Sequence, residues 1–179
     1  MFKPENSALM IIDVQGRLAS LMHEGDNLIK EVNIMIKAAD ILDIPIIWME
    51  QYPKGLGYTV DAIKNNLSNH KAIEKISFGG CGCEEVMTAL KDSGRNQVIV
   101  TGIEAHVCVY QTVLGLLEEG YQVAINQDAI SSRKPSNKQL GLERMKDAGA
   151  IKTSTEMILF ELMQTAEHPN FKQISNLLK

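Results

Sequence analysis

The stretch NQVIVTGIEAHVCVYQTVLGLLEEG, residues 96–120, changes its hydrophobic pattern halfway along. Its first part, residues 96–103, is a short run of mainly apolar and β-branched residues, which predicts a strand buried on both faces. Its second part, residues 107–120, repeats apolar side chains at helical spacing and ends in Gly120, which suits a helix C-cap. The stretch therefore predicts a buried strand followed by an amphipathic helix, the first half of a βαβ unit.

The same alternation extends along the chain in both directions. Further strands are predicted at residues 8–14, 45–51 and 121–130, with a weaker one at residues 150–155. Further helices are predicted at residues 27–42, 83–94, 137–150 and 155–166. Buried strands that alternate with amphipathic helices predict a three-layer α/β/α domain with a mainly parallel, Rossmann-like central sheet.

The chain carries no repeat, low-complexity stretch or linker, so a single domain is predicted over residues 1–179. Residues 52–80 form one long segment without a clear pattern, and we expect a short helix and functional loops there. The stretch from residue 157 to residue 179 predicts two helical pieces broken at Pro169. These pieces pack either on the same domain or against another subunit.

Composition narrows the classes of partner and compartment. The formal net charge is -4 and both signs are mixed along the chain, which disfavours nucleic acid and anionic membranes as partners. No apolar run approaches the ~20 residues of a membrane helix, and the opening residues do not resemble a signal peptide. Three cysteines, an odd number, favour reduced thiols. We therefore expect a cytoplasmic protein.

Three chemically reactive side chains stand near predicted strand ends, where ligands bind in sheets of this kind. Asp13 closes an apolar run, Lys75 precedes residues 76–78, and Cys108 opens a predicted helix. The first turn of a helix lowers a thiol pKa, which would activate Cys108 as a nucleophile, and Asp13 is the candidate to move its proton. The alternatives without catalysis are a helix cap, a solvated lysine and a buried core cysteine.

Several ordered motifs run along nearly the whole chain: IIDVQ (11–15), MEQYPKGLGYTV (49–60), EKISF (74–78), GIEAHVCVYQTVLGLLEEGYQV (102–123), DAISSR (128–133) and ERMKDAGAIKTSTEMILFEL (143–162). Together they resemble the isochorismatase-like cysteine hydrolases, and within that superfamily the isochorismatase domain-containing proteins. The resemblance implies a catalytic triad in which Cys108 attacks a carbonyl carbon, Asp13 takes and returns the proton, and Lys75 holds the thiolate and carboxylate charges. A thioacyl-enzyme would form and water would release it.

The same resemblance implies a cis peptide between Ile103 and Glu104, with the backbone N–H groups of Glu104 and Cys108 forming an oxyanion hole. The substrate pocket is expected around the triad, and its predicted members are Gln15, Trp48, Gln51, Tyr52, Phe78, Ile103, Glu104, His106 and Val107. Trp48 and Phe78 have an alternative interpretation as core aromatics. His106 has an alternative interpretation as the base of a Cys-His dyad.

The sequence predicts no metal and no other cofactor. Nicotinamidases of the superfamily bind a divalent metal through an Asp-x-His pair and a later histidine after the second strand. Here residues 49–57 read MEQYPKGLG, and the next histidine is His70. The four histidines contain no i, i+4 pair, and the thiols of Cys81 and Cys83 lack the two further ligands of a closed site. We therefore expect both thiols to be incidental to catalysis.

A thiol nucleophile favours acyl transfer on a small amide or related C–N bond. True isochorismatases cleave a vinyl ether and need a general acid instead, so that reaction is the alternative within the superfamily. A non-catalytic binding or scaffold protein on a hydrolase fold and a redox-sensing thiol at Cys108 also remain open. We expect a small-molecule substrate and a homo-oligomer, a dimer or higher.

Overall fold

The computed structural model describes residues 1–179 and places a six-stranded parallel sheet between two layers of helices. Its strands are β1 Ser7–Ile12, β2 Ile46–Gln51, β3 Ala72–Lys75, β4 Gln97–Gly102, β5 Gln122–Ile130 and β6 Ile151–Thr153. Its helices are α1 Gly16–Ser20, α2 Gly25–Ile41, α3 Pro53–Leu56, α4 Asp61–Lys64, α5 Glu84–Asp92, α6 Tyr110–Glu118, α7 Pro135–Asp147, α8 Thr155–Met163 and α9 Phe171–Leu177. The predicted α/β/α fold is confirmed.

The sheet is buried on both faces, as its apolar strands require. In β1, Leu9 and Ile11 join the hydrophobic cluster under α2, α8 and α9. Met10 and Ile12 point the other way, into the cluster under α5, α6 and α7. Successive side chains of a strand alternate between faces, so a strand with helices on both sides must be apolar throughout.

The strand order β3-β2-β1-β4-β5-β6 creates a switch point between β1 and β4. The chain adds β2 and then β3 on one side of β1. It then crosses to the other side of β1 and adds β4, β5 and β6 in turn. The loops after these two neighbouring strands therefore leave in opposite directions and open a crevice at the carboxyl edge of the sheet. This crevice is the expected place for a ligand.

The segment 52–80 contains more regular structure than the sequence predicted. Besides the expected short helical structure, in α3 and α4, it contains β3, an edge strand that pairs only with β2. This strand was missed because its four residues, AIEK, mix apolar and charged side chains and lack a buried run.

The C-terminal prediction of two helical pieces is confirmed. Helices α8 and α9 lie on either side of Pro169, and Leu159, Leu162 and Ile174 bury against the cluster that includes α2. Of the two packings left open, these side chains take the one on the same domain. No helix has the length and apolar content to cross a bilayer.

Candidate active site

Polar side chains from four strands meet at the carboxyl edge of the sheet. Asp13 directly follows β1, Gln51 ends β2, Lys75 ends β3, and Glu104 lies two residues after β4. All four are buried. Asp13 has a left-handed backbone (φ 53°), a conformation that aspartate tolerates better than most residues, and this bend ends β1 beneath the crevice.

The segment that leads to Cys108 depends on a close approach between β4 and β1. Gly102 has φ 119°, and a Cβ there would lie 2.1 Å from the Ile12 carbonyl oxygen, so glycine is required. The peptide between Ile103 and Glu104 is cis. Residues Ala105–Val109 then form a π-helical turn, so Cys108 sits in this turn just before α6 rather than in the first turn of an α-helix.

The ammonium of Lys75 is fully enclosed by acceptors. Its Nζ donates to Asp13 Oδ2 at 2.7 Å, to Gln51 Oε1 at 2.7 Å and to the carbonyls of residues 77 and 78 at 3.2 and 2.9 Å. The side chain has no exposed surface. A buried cation is tolerable only when it is paired and hydrogen-bonded in this way. Lys75 therefore donates a hydrogen bond directly to Asp13, and all three N–H donors of the ammonium are used within the protein.

A cavity of about 170 Å³ opens beside these groups. Its polar wall consists of Asp13, Gln51, Glu104 and Arg133, and the thiol residue Cys108 lines it too. Its apolar wall consists of Leu18, Leu56, Phe78, Ile103 and Val107. The structure thus brings Asp13 and Cys108 to one small, mainly apolar cavity, with Lys75 directly behind Asp13.

The thiol of Cys108 is not a stabilised thiolate, which corrects the prediction made from its position. Its pKa is raised to about 12, first by burial and then by the negative charge of Asp13, which outweighs the lowering effect of Lys75. Burial also raises the pKa of Asp13, against the opposing effect of Lys75. Burial therefore disfavours a negative charge on both Asp13 and Cys108, and the thiol keeps its proton.

One oxygen of Asp13 has no partner. Oδ2 accepts from Lys75, whereas the buried Oδ1 accepts no hydrogen bond. The backbone N–H of Glu104 likewise donates to no protein acceptor. Unpaired buried polar groups are uncommon and call for an explanation.

Several residues predicted for the pocket do not line the cavity. The Gln15 side chain instead bonds the backbone of Gln51 and Gly57, which ties the loop after β2 to β1. Trp48 lies in the core and its indole N–H donates to Thr59. Tyr52 is half exposed outside the cavity. These corrections share one cause, since strand alternation and loop direction turn each side chain away from the crevice.

His106 also lies outside the cavity lining, which corrects its placement as a pocket residue and argues against a Cys-His dyad. Its Nδ1 lies 3.0 Å from Ser132 Oγ and its Nε2 lies 3.2 Å from the Asn137 amide. Nδ1 is also 3.4 Å from Glu104 Oε2. The ring therefore supports Glu104 from behind rather than facing Cys108.

The sequence did not identify three cavity residues, Leu18, Leu56 and Arg133. The first two belong to short helices that fold over the crevice. Arg133 ends the quoted motif DAISSR, which was the only signal for it. Its Nε donates to Glu104 Oε1 at 2.5 Å, and its side chain is 57% exposed.

The other two thiols and the remaining histidines lie away from the cavity lining. Cys81 Sγ lies 3.6 Å from the Thr112 carbonyl oxygen, and burial raises its pKa to about 11. Cys83 Sγ lies 3.9 Å from the Glu74 carbonyl oxygen. No group of three or more His, Cys, Asp or Glu side chains is arranged to hold a metal ion.

Comparisons with known proteins give a consistent result. The family described as the isochorismatase domain matches residues 7–157. The isochorismatase family protein 1B of Dictyostelium discoideum is 39% identical over 98% of this chain and 87% of its own length. The structure named MAR1 ribonuclease from Caenorhabditis elegans is 40% identical, with a TM-score of 0.94 over 99% of this chain and 91% of its own.

A more distant structure shares the fold alone. The YcaC protein of Escherichia coli, described as an octameric hydrolase of unknown specificity, is 23% identical. Its TM-score is 0.88 over 99% of this chain and 94% of its own.

Proposed function

The chain belongs to the isochorismatase family, and we propose that it is a cysteine-dependent hydrolase that cleaves a small amide or related C–N bond. The observation that carries the proposal is the pairing at the cavity. Asp13 Oδ2 accepts a hydrogen bond from Lys75, and Asp13 Oδ1 is buried without a partner beside the cavity that Cys108 lines. A carboxylate in this position can accept the thiol proton as the sulfur attacks.

The first step forms the bond between sulfur and carbonyl carbon. The resting thiol keeps its proton because its pKa is raised, so attack requires transfer of that proton to Asp13 Oδ1. The carbonyl electron pair moves to oxygen, and the N–H groups of Glu104 and Cys108 are the proposed donors to that oxyanion. Lys75 balances the one negative charge that moves between carboxylate and thiolate.

The second step breaks the C–N bond. The oxyanion collapses, and Asp13 returns its proton to the leaving nitrogen, which departs as ammonia or an amine. A thioester to Cys108 remains. Water then attacks the thioester as Asp13 accepts its proton, and release of the carboxylic acid returns that proton to the thiol, so the site is restored.

A ribonuclease is the rival function, because the C. elegans relative carries that name. Two features of this chain favour a small amide instead. Its net charge is -4, which repels a polyanion, and the cavity of about 170 Å³ is small for a nucleotide. Incubation with labelled single-stranded RNA tests the alternative directly, and cleavage lost in Cys108→Ala would replace the amide hypothesis.

Assembly into a homo-oligomer is part of the proposal. The E. coli relative is described as octameric, and this chain exposes large apolar side chains on the segment around the cavity, among them Tyr58, Ile76 and Phe78. A single domain in the cytoplasm, without metal or cofactor, completes the proposal. Light scattering at micromolar concentration tests the assembly, and a monomeric mass would contradict it.

The experiment that tests the function compares three variants, Cys108→Ala, Lys75→Ala and Asp13→Asn, by ammonia release from a panel of small primary amides. Comparable loss of turnover in all three folded variants supports one cooperative site. Cys83→Ala, a thiol outside the cavity, is the matched control and should retain activity. An active Cys108→Ala protein would eliminate covalent catalysis, and an inactive wild type would favour the scaffold or redox alternatives.

A further inference from the structure

The cavity has few donors left to hold a substrate. The ammonium of Lys75 is committed to four acceptors and has no exposed surface. The Gln51 amide uses its oxygen for Lys75 and its nitrogen for the Ile76 carbonyl. Asp13 and Glu104 offer only acceptors when ionised. Substrate recognition by side-chain donors therefore depends on the remaining polar group, Arg133.

Arg133 reaches the cavity with most of its donors unused. A guanidinium has five N–H donors, and only the one on Nε is engaged, by Glu104. The four N–H groups on the two terminal nitrogens make no hydrogen bond to the protein. The Glu104 side chain is 6% exposed, and its bond to Nε fixes the plane of the Arg133 guanidinium. The two terminal nitrogens, Nη1 and Nη2, are left for a ligand that approaches the end of the guanidinium.

We infer that Arg133 binds a carboxylate on the substrate, so that the small amide cleaved at Cys108 is an amido acid. The inference deepens the proposed function and rests on it for the identity of the reacting group. The end-on face of a guanidinium matches the two oxygens of a carboxylate, and the bond is charge-assisted. Water at the half-exposed Arg133 screens the repulsion from Glu104.

The cavity volume limits the length of such a substrate. A cavity of about 170 Å³ lies below the range of about 300–1,000 Å³ that is usual for ligand pockets, which favours a short substrate. A three- or four-carbon amido acid, with its amide at the thiol and its carboxylate at the half-exposed rim, agrees with this volume. Succinamate is the probe of this class, and 4-methylpentanamide is its neutral counterpart of equal length and branching.

The test measures binding, so that it does not depend on turnover. Cys108→Ala protein is titrated with succinamate and with 4-methylpentanamide, and affinity is followed by NMR chemical shifts. The same titrations use the double variants Cys108→Ala/Arg133→Gln and Cys108→Ala/Arg144→Gln. Arg144 is an exposed arginine that lies over the Tyr110 ring and does not line the cavity, so it serves as the matched control.

The expected result is a selective loss of affinity for succinamate. Arg133→Gln should weaken succinamate binding about 10- to 100-fold, the usual range for a lost charge-assisted contact. Binding of 4-methylpentanamide should change less than about threefold, which shows that the cavity remains intact. Arg144→Gln should leave both affinities unchanged.

Three outcomes would overturn the inference. The first is succinamate binding that is unaffected by Arg133→Gln, and the second is succinamate binding no tighter than that of the neutral amide. The third is no binding of succinamate at all. Turnover separates these failures from failure of the proposed function, because wild-type protein that hydrolyses neutral amides without dependence on Arg133 keeps its function and loses only this specificity.

Discussion

Replacement of Asp13 by asparagine should have opposite effects on thiol ionisation and on turnover. The change keeps the side-chain shape and removes the charge that pairs with Lys75 at 2.7 Å. After burial, the charge of Asp13 is the largest influence that raises the Cys108 pKa, and Lys75 opposes it. Without Asp13, Lys75 still lowers the Cys108 pKa while the largest opposing charge is gone, so the thiol pKa should fall.

The size of this effect follows from the charges involved. An unopposed opposite charge within about 4–6 Å lowers a pKa by roughly 1 to 3 units. The pKa of Cys108 should therefore fall from about 12 to roughly 9–11. Because nucleophilicity decreases with pKa, alkylation at pH 8 should accelerate by roughly 3- to 50-fold rather than by the full gain in thiolate. Amide turnover should fall by about 10²- to 10⁴-fold, since the proton acceptor is lost.

The assay measures both quantities on the same protein. Iodoacetamide labelling between pH 7 and pH 10, read by peptide mass spectrometry, gives the rate at Cys108, with Cys83 as the internal control. In wild-type protein the Cys108 rate should still be rising at pH 10, because the pKa lies above that range. Asp128→Asn, which removes a carboxylate that lies outside the cavity lining and accepts from the Thr155 N–H, controls for a general loss of stability.

Two results would refute this account. Slower Cys108 alkylation in a folded Asp13→Asn protein would mean that Asp13 does not suppress thiolate formation. Faster alkylation together with unchanged turnover would mean that Asp13 is not the proton acceptor.

Three further outcomes are expected. Lys75→Met should destabilise the fold at pH 8 by about 3–5 kcal/mol, measured by urea unfolding, because the buried Asp13 loses its counter-charge. Because burial raises the pKa of Asp13, this loss of stability should shrink as the pH falls and Asp13 is protonated; an equal loss at pH 4 would contradict the pairing. Gly102→Ala should destabilise the protein far more than Gly94→Ala, since only the former places a Cβ 2.1 Å from the Ile12 carbonyl oxygen; similar unfolding midpoints would contradict it. Prolonged dialysis against EDTA should leave amide turnover unchanged, and activity restored only by an added divalent ion would contradict the metal-free mechanism.

The central strands could be predicted because strands that are buried on both faces contain runs of apolar residues. Both faces of β1 and β4 contact helices, so each strand contains an unbroken apolar run, at residues 8–12 and 98–100. The edge strand β3 has one neighbour and partly exposed faces, so it carries no such pattern. Lys75 was therefore expected near a strand end and assigned through the motif around it, but the strand that it ends was not predicted.

The position of the reactive groups was more predictable than their surroundings. Asp13 lies near the end of one strand that the sequence predicts, Cys108 follows another, and the family resemblance marked both. The Cys108 pKa depends on burial and on Asp13, which lies far away in sequence, so helix position alone gave the wrong direction. Arg133 was missed because an arginine in a surface loop has no periodic signal, and only the tertiary approach of that loop brings it to the cavity.

The most direct test of the central claim is detection of a thioester on Cys108. Wild-type protein is mixed with the best amide from the panel and quenched in acid within one turnover, and its peptides are then analysed by mass spectrometry. The account predicts that the peptide containing Cys108 gains the mass of the acyl group, and that no such gain occurs on Cys81 or Cys83 or in Asp13→Asn protein. Turnover of the amide with no acylated Cys108 at any quench time, and with full activity in Cys108→Ala, would contradict it.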